Sequence, residues 1–204
     1  MPKGFSDKEK NVILGKLIDV GKEMFGHYGF KKVSIDEVVR HIKISKGTFY
    51  LFFDSKESYF MEVLESLDKE NRKSLLSIIE DKTLSPEKRL KAYLLKGFEF
   101  MEKNPVMTKI KYQDMEALML NLPGGKVQDH INSDMDFMLN FLTDLQAESG
   151  RTVQISHESL SGFFQFFFYI FLHKDDIGDT EYHAGVELML DMACRYFFGG
   201  KDGS

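Results

Sequence analysis

The sequence predicts an all-α chain, a small helix-turn-helix head followed by a larger helical body, and three observations carry that prediction. Apolar residues recur at spacings of three and four through most of the chain. Helix-start pairs of a capping residue and a Glu three positions on recur at Ser6/Glu9, Ser34/Glu37 and Asp54/Glu57. The only strand-like stretch, Thr152-Val153-Gln154-Ile155, is too short and isolated to build a sheet.

Taken in order, about nine helices are expected. Leu14, Leu17, Ile18, Met24, Phe25 and Tyr28 give the helix over 7–28 one apolar face, Ser6 and Glu9 start it, and Gly29 ends it. Ser34 and Glu37 open a second helix, with Val33 and Val38 placed as a hydrophobic staple. That helix runs to about Ile42, because Ser45 begins another, with Ile44 and Phe49 as its staple pair. Asp54 and Glu57 start a long fourth helix whose face includes Phe60, Val63, Leu64, Leu67 and Leu75. Ser85-Pro86 is an N-cap followed by proline at the first helical position. Breaks at Asn104-Pro105 and Leu122-Pro123-Gly124-Gly125 then divide the middle into helices over about 86–103, 106–121 and 127–148. A loop from Ser149 to Ser156 precedes two last helices, about 157–174 and 180–198, stopped by Gly199-Gly200.

Composition narrows the class. The chain has 204 residues, 43% apolar and 29% charged, the balance of a globular protein with a sizeable core. With 19 Phe, 11 Met and no Trp, that core is aromatic and soft. Cys194 stands alone, which excludes an internal disulfide and a cysteine-based zinc module, and fits a reducing compartment. The first residues form no apolar signal stretch, and the longest apolar run, Gly162 to Leu172, falls well short of the roughly 20 residues a membrane span needs. A cytoplasmic protein without a membrane partner is expected. The net charge of −5 is uneven: residues 1–56 carry +4 and the remainder −9. A basic head on an acidic body suits a chain that offers only its head to a polyanion, although surface charge also fluctuates by chance.

Residues 34–56 place two short helices across a tight turn, the arrangement whose second helix enters a DNA major groove. Val38, Val39, Ile42, Ile44 and Phe49 supply the apolar wedge. Toward its N-terminus the second helix offers Ser45, Lys46, Gly47, Thr48 and Tyr50, where backbone N–H groups and the helix dipole suit phosphate. Gly47 permits close backbone approach, and Thr48 offers a hydroxyl and a methyl. Lys56, in the first turn of the next helix, is placed for a flanking phosphate.

The stretch from Gly21 to Leu64 resembles the N-terminal domain of the TetR family of transcriptional regulators. The matching pieces are Phe25 with Gly29-Phe30, Ser34, the run Ser45-Lys46-Gly47-Thr48-Phe49-Tyr50, and Phe53 with Ser55-Lys56-Glu57. The rest resembles the family only in length and helical content. The resemblance implies a DNA-binding domain over 1–54 and a ligand-binding and dimerisation domain over 55–204. It further implies a homodimer on a palindromic double-stranded operator, released by a small molecule. Tyr50, Ser34 and Lys56 then meet phosphate, while Ser45, Lys46, Gly47 and Thr48 line the groove, with Lys46 and Thr48 the base readers. The chain departs from the family at Val39, Ile42 and Lys43, where small residues are usual. A lysine at Lys43, where glycine would relieve a left-handed backbone, implies strain or a different turn.

In the body, the run from Gly162 to Leu172 is apolar all round, and the last helix is mostly so. A four-helix interface between two copies accounts for both, with Phe163, Phe167, Ile170, Phe171, Met189, Met192 and Tyr196 in it, and Gly162 and Gly185 allowing close approach. An ordinary intrachain core is the competing reading. Phe98, Met101, Tyr112, Met115, Met119, Phe137 and Phe141, with Gln165 as a polar contact, are candidates to line a pocket for a hydrophobic or aromatic effector. The same spacing also describes plain core. No cofactor, metal site or catalytic group is expected. His130 and Asp134 share a helix face but lack a third ligand, the acidic group Asp175, Asp176 and Asp179 near His173 and His183 reads as solvated, and Cys194 has no histidine partner. The rival classes are a helical small-molecule sensor or carrier without DNA binding, which Lys43 favours, and an all-α enzyme.

Overall fold

A computed structural model describes residues 5–122, 125–151 and 153–198. The described residues form ten α-helices and one 3-10 turn. They are α1 (Asp7–Tyr28), α2 (Ile35–Ile42), α3 (Lys46–Phe49), α4 (Lys56–Glu80), α5 (Pro86–Lys103), the 3-10 turn Met107–Lys109, α6 (Tyr112–Asn121), α7 (Lys126–Ser149), α8 (His157–Leu172), α9 (Lys174–Ile177) and α10 (Asp179–Phe198). Two compact units divide the chain, one built on Met1–Lys69 and Glu102–Val127, the other on Glu70–Met101 and Gln128–Ser204. Pro123, Gly124, Thr152 and the Gly199-Gly200 stop lie outside the described residues.

The first unit is organised by aromatic rings. Phe25 of α1 meets Phe60 and Tyr59 of α4 at centroid distances of 4.6 and 5.4 Å, and Tyr59 in turn meets Phe49 and Phe53 at 5.3 and 5.0 Å. The Tyr59 hydroxyl donates to the Leu17 carbonyl at 2.6 Å, which satisfies the one polar atom of an otherwise apolar cluster. Burial holds that phenol well above its ordinary pKa. Gly21 lets α1 approach α4 closely, since a Cβ there would lie 2.5 Å from Val63 Cγ2.

The second unit has its own core. Leu90, Leu94 and Phe98 of α5, Met138, Phe141 and Leu145 of α7, Leu160 and Phe167 of α8, and Tyr182, Leu190 and Phe197 of α10 form one buried cluster. Arg89, only 2% exposed, sits beside it. Its guanidinium donates to the Ile79 carbonyl and pairs with Glu148, which Lys82 also engages. Arg89 first, then Lys82, holds the Glu148 carboxyl below its usual range.

Three boundaries differ from the sequence reading. Ser55, not Asp54, caps α4: its hydroxyl accepts from the Ser58 N–H at 3.0 Å, and Ser58 returns the bond to the Ser55 N–H. The helix expected over 106–121 is broken. Ile110 is buried and Lys111 extended, with the Lys111 N–H donating to Asp114 Oδ2, so α6 restarts at Tyr112. The loop before the last helix holds the short α9, closed by Gly178 at φ 96°.

Candidate nucleic-acid interface

The head positions its candidate contact residues by local chemistry. Ser34 caps α2 through a reciprocal pair with Glu37, each accepting the other's backbone N–H. Ser45 caps α3, accepting from the Thr48 N–H at 3.0 Å, and its hydroxyl lies 2.8 Å from that of Thr48. The wedge predicted from sequence is in place. Val38, Val39 and Phe49 are buried, and Ile42 and Ile44 are half-buried.

Lys43 adopts the left-handed conformation, φ 59° and ψ 47°. Its N–H donates to the Arg40 carbonyl at 3.3 Å and the Ile44 N–H to the Val39 carbonyl at 3.0 Å. These two bonds are those of a Schellman helix end. Of the two consequences expected from a lysine here, strain is therefore the one observed, and the turn itself keeps the geometry glycine would give.

The amino end of α3 stands open. Ser45, Lys46 and Gly47 are exposed, Tyr50 is 46% and Leu51 71% exposed, and Thr48 is half-buried. A Cβ on Gly47 would meet only Ser45 Oγ, at 3.7 Å, so the fold itself does not demand a glycine there. Tyr50 stands edge-on to Phe49, centroids 5.5 Å apart, which fixes the ring while leaving its surface to solvent. Lys56 is half-buried: its ammonium donates to the Phe30 and Val33 carbonyls at 3.0 and 3.3 Å and lies 4.4 Å above the Phe30 ring. It pins the chain immediately before Ser34. The Lys46 ammonium lies 3.0 and 3.1 Å from the two oxygens of Asp36, and that hydrogen bond, reinforced by the opposite charge, raises the lysine above its ordinary pKa. Sequence reasoning missed Asp36, because no spacing rule links residues ten apart on two different helices. An open depression of about 300 Å³ is lined by Met24 and Tyr28 of α1, by Lys32, and by Glu37, Arg40 and His41 of α2.

The pocket candidates divide between the two units. Tyr112, Met115 and Met119 belong to the first, where Tyr112 and Met119 are exposed; the others belong to the second. There Phe98 and Phe141 are core, Met101 packs against that core, and Phe137 lies 5.1 Å beneath the Arg72 guanidinium. Gln165, expected as a polar contact for an effector, is exposed and donates to Ser161 at 3.1 Å.

The interface candidates also divide. Phe167, 2% exposed, and Phe171, both expected at the interface between two copies, are buried within the chain itself. Phe163, Ile170 and Met189 are half-buried and pack against the same core. Met192, 61% exposed, and Tyr196 face outward, as do Phe166, 65% exposed, Tyr169 and Leu188.

Of the residues considered for metal or catalysis, Asp134 is paired with Arg72, and His173 and His183 pair with the neighbouring Asp176 and Asp179. Cys194 is buried, and burial pushes its thiol up to about 11, away from the reactive thiolate. No helix among the described residues is long and apolar enough to cross a membrane.

Residues 17–63 match the family model described as bacterial regulatory proteins, tetR family. Among curated proteins, the chain is 26% identical over 86 residues to the HTH-type transcriptional repressor DhaR of Mycobacterium sp. (strain GP1), covering 42% of this chain and 43% of that one. It is 28% identical over 100 residues to the uncharacterised HTH-type regulator YdgC of Bacillus subtilis, covering 48% of this chain and 51% of the relative. The chain thus spans about half the length of these relatives or less. Over nearly its whole length the fold is similar to a TetR-family transcriptional regulator from Pectobacterium atrosepticum, with TM-score 0.70 and 20% identity over 96% of this chain and 99% of that one. The fatty acid degradation regulator FadR of Bacillus halodurans gives 0.66 and 15% over 99% and 100%.

Proposed function

With residues 17–63 belonging to the TetR family of bacterial regulatory proteins, we propose that this chain is a transcriptional repressor that works in the cytoplasm as a homodimer on a palindromic operator. The observation that carries the reading is the open amino end of α3, with Ser45, Lys46 and Gly47 exposed above a rigid aromatic core. A recognition helix has to present that end to base edges while the rest of the head holds its angle. Ser34, Tyr50 and Lys56 contact phosphate in this reading, and Ser45, Lys46, Gly47 and Thr48 line the groove. Lys56 also fixes the loop that presents Ser34, through the Phe30 and Val33 carbonyls.

The second copy docks on the outward face of α8 and α10. Phe166, Tyr169, Leu188, Met192 and Tyr196 are exposed there, and a Cβ at Gly162 or Gly185 would meet nothing within 4 Å. Two-fold symmetry sets the recognition helices about 34 Å apart, one turn of DNA. A small hydrophobic effector releases DNA by binding the non-DNA conformation more tightly. The continuous helix α4, with residues 56–69 in the first unit and 70–80 in the second, is the element through which that preference acts.

A gel-shift assay with DNA from upstream of the chain's own gene tests the reading. Sequence-selective, salt-sensitive binding is expected. Binding that ignores sequence, or none at all, refutes the repressor and leaves a sensor or carrier.

A further inference from the structure

Lys46 is the only cation in the recognition segment Ser45–Tyr50, yet it is already engaged: its ammonium lies within 3.1 Å of both Asp36 oxygens. Building on the regulator reading above, we propose that Asp36 makes Lys46 a reader of a base acceptor rather than a phosphate clamp, and so holds down binding to random DNA.

Several observations converge on this. Asp36 is not consumed by the helix start, because Ser34 and Glu37 complete that cap between them. Both partners are more than half exposed, and an exposed ion pair adds little to stability, so the consequence of this one lies in binding. A lysine ammonium has three N–H donors and no acceptor. With a carboxylate on one side, its remaining donor capacity still suits a neutral acceptor such as guanine O6 or N7, or thymine O4. A phosphate at the same place brings a second anion against Asp36, and juxtaposed like charges penalise the contact. Such a repulsive element separates a specific partner from a non-specific one. The pair is assembled in the free protein, so the discrimination precedes contact with DNA.

The experiment uses the full chain in four forms: unaltered, Asp36→Asn, Lys46→Ala, and both together. Fluorescence anisotropy follows binding to a duplex from upstream of its own gene and to a scrambled duplex of the same composition, across a salt titration. Asp36→Asn frees Lys46 for phosphate, so the log–log salt slope on scrambled DNA steepens by about 0.9 per head. That is an affinity gain of about eightfold for each tenfold drop in salt. The ratio of upstream to scrambled affinity falls. In the Lys46→Ala background the same substitution leaves the slope unchanged, and Lys46→Ala alone lowers upstream affinity at constant slope. Asp36→Ser, another residue suited to the first turn, behaves as Asp36→Asn does, and circular dichroism melts verify that each form is folded. An equal gain in both backgrounds reduces Asp36 to a long-range charge and overturns the inference while leaving the regulator intact. Failure of all forms to bind either duplex overturns the regulator reading, and this inference with it.

Discussion

Replacing Lys43 tests whether the turn of the head is strained. Its backbone sits at φ 59° and ψ 47°, where a side chain costs roughly 1–2 kcal/mol relative to the right-handed region. Glycine removes that cost but gives back roughly 0.5–1 kcal/mol through the greater freedom of the unfolded chain. The lysine charge at the C-terminal end of α2 is also lost, worth about 0.3–1 kcal/mol against the helix dipole. Lys43→Ala loses the same charge and keeps the strain, so the comparison of Gly with Ala isolates the backbone. Lys43→Gly is expected to be more stable than Lys43→Ala by about 0.5–1 kcal/mol, or roughly 1–4 °C for a chain of this length. Paired urea and thermal melts measure it. DNA affinity stays within about twofold for Lys43→Gly, because the turn already has the geometry glycine favours. An alanine variant as stable as the glycine variant would refute the strain.

Gly47→Ala should leave the melting temperature unchanged or raise it, since the added methyl meets only Ser45 Oγ at 3.7 Å. It should also weaken operator binding by at least about tenfold; unchanged affinity in anisotropy would remove DNA from the reasons for glycine there. Lys56→Met deletes two charge-assisted hydrogen bonds to carbonyls, and a loss of about 1–3 kcal/mol is expected in urea melts. A variant that melts with the parent would mean the Phe30–Val33 loop holds itself. Met192→Asp and Phe166→Asp should yield folded monomers by sedimentation, whereas Phe167→Asp, which puts a charge into the core, should fail to fold. A dimer that survives both outward substitutions would place the interface elsewhere.

The head was legible in the sequence because its signals are local. A capping box spans four residues, a staple six, and the turn between α2 and α3 is bounded by Ile42 and Ser45, so each can be read without knowing what packs above it. The misreadings there are small and physical: Asp54 and Ser55 are both good caps, and only the reciprocal bond with Ser58 selects the serine. The break at Ile110 and Lys111 is less local. Burial of Ile110 against the first unit competes with helix continuation, and periodicity does not register that competition. In the body, α8 reads as apolar on every side, so its pattern contains no phase. Phe166 and Phe167 are adjacent and chemically identical, yet one is exposed and the other is core, and only the neighbouring helices decide which.

Lys43, Val39 and Ile44 are best understood together. Seen singly, each of the first two departs from the small residues usual in the TetR family that the head resembles, and each argues against a well-formed turn. In the structure they occupy linked positions of one helix end. Lys43 carries the left-handed backbone, and Val39 and Ile44 are the residues joined by the hydrogen bond that closes the wider ring, at 3.0 Å. Those are the positions between which a hydrophobic contact commonly accompanies this motif, and here both are apolar, Val39 buried and Ile44 half-buried. Burying an aliphatic side chain contributes about 1.5–3 kcal/mol, which exceeds the roughly 1–2 kcal/mol of a left-handed lysine. The larger side chains therefore offset the strain that the lysine introduces. Val39→Ala should therefore cost about the same with Lys43 as with Lys43→Gly, since the two terms add, and a double-mutant cycle that shows a large interaction energy would refute that separation.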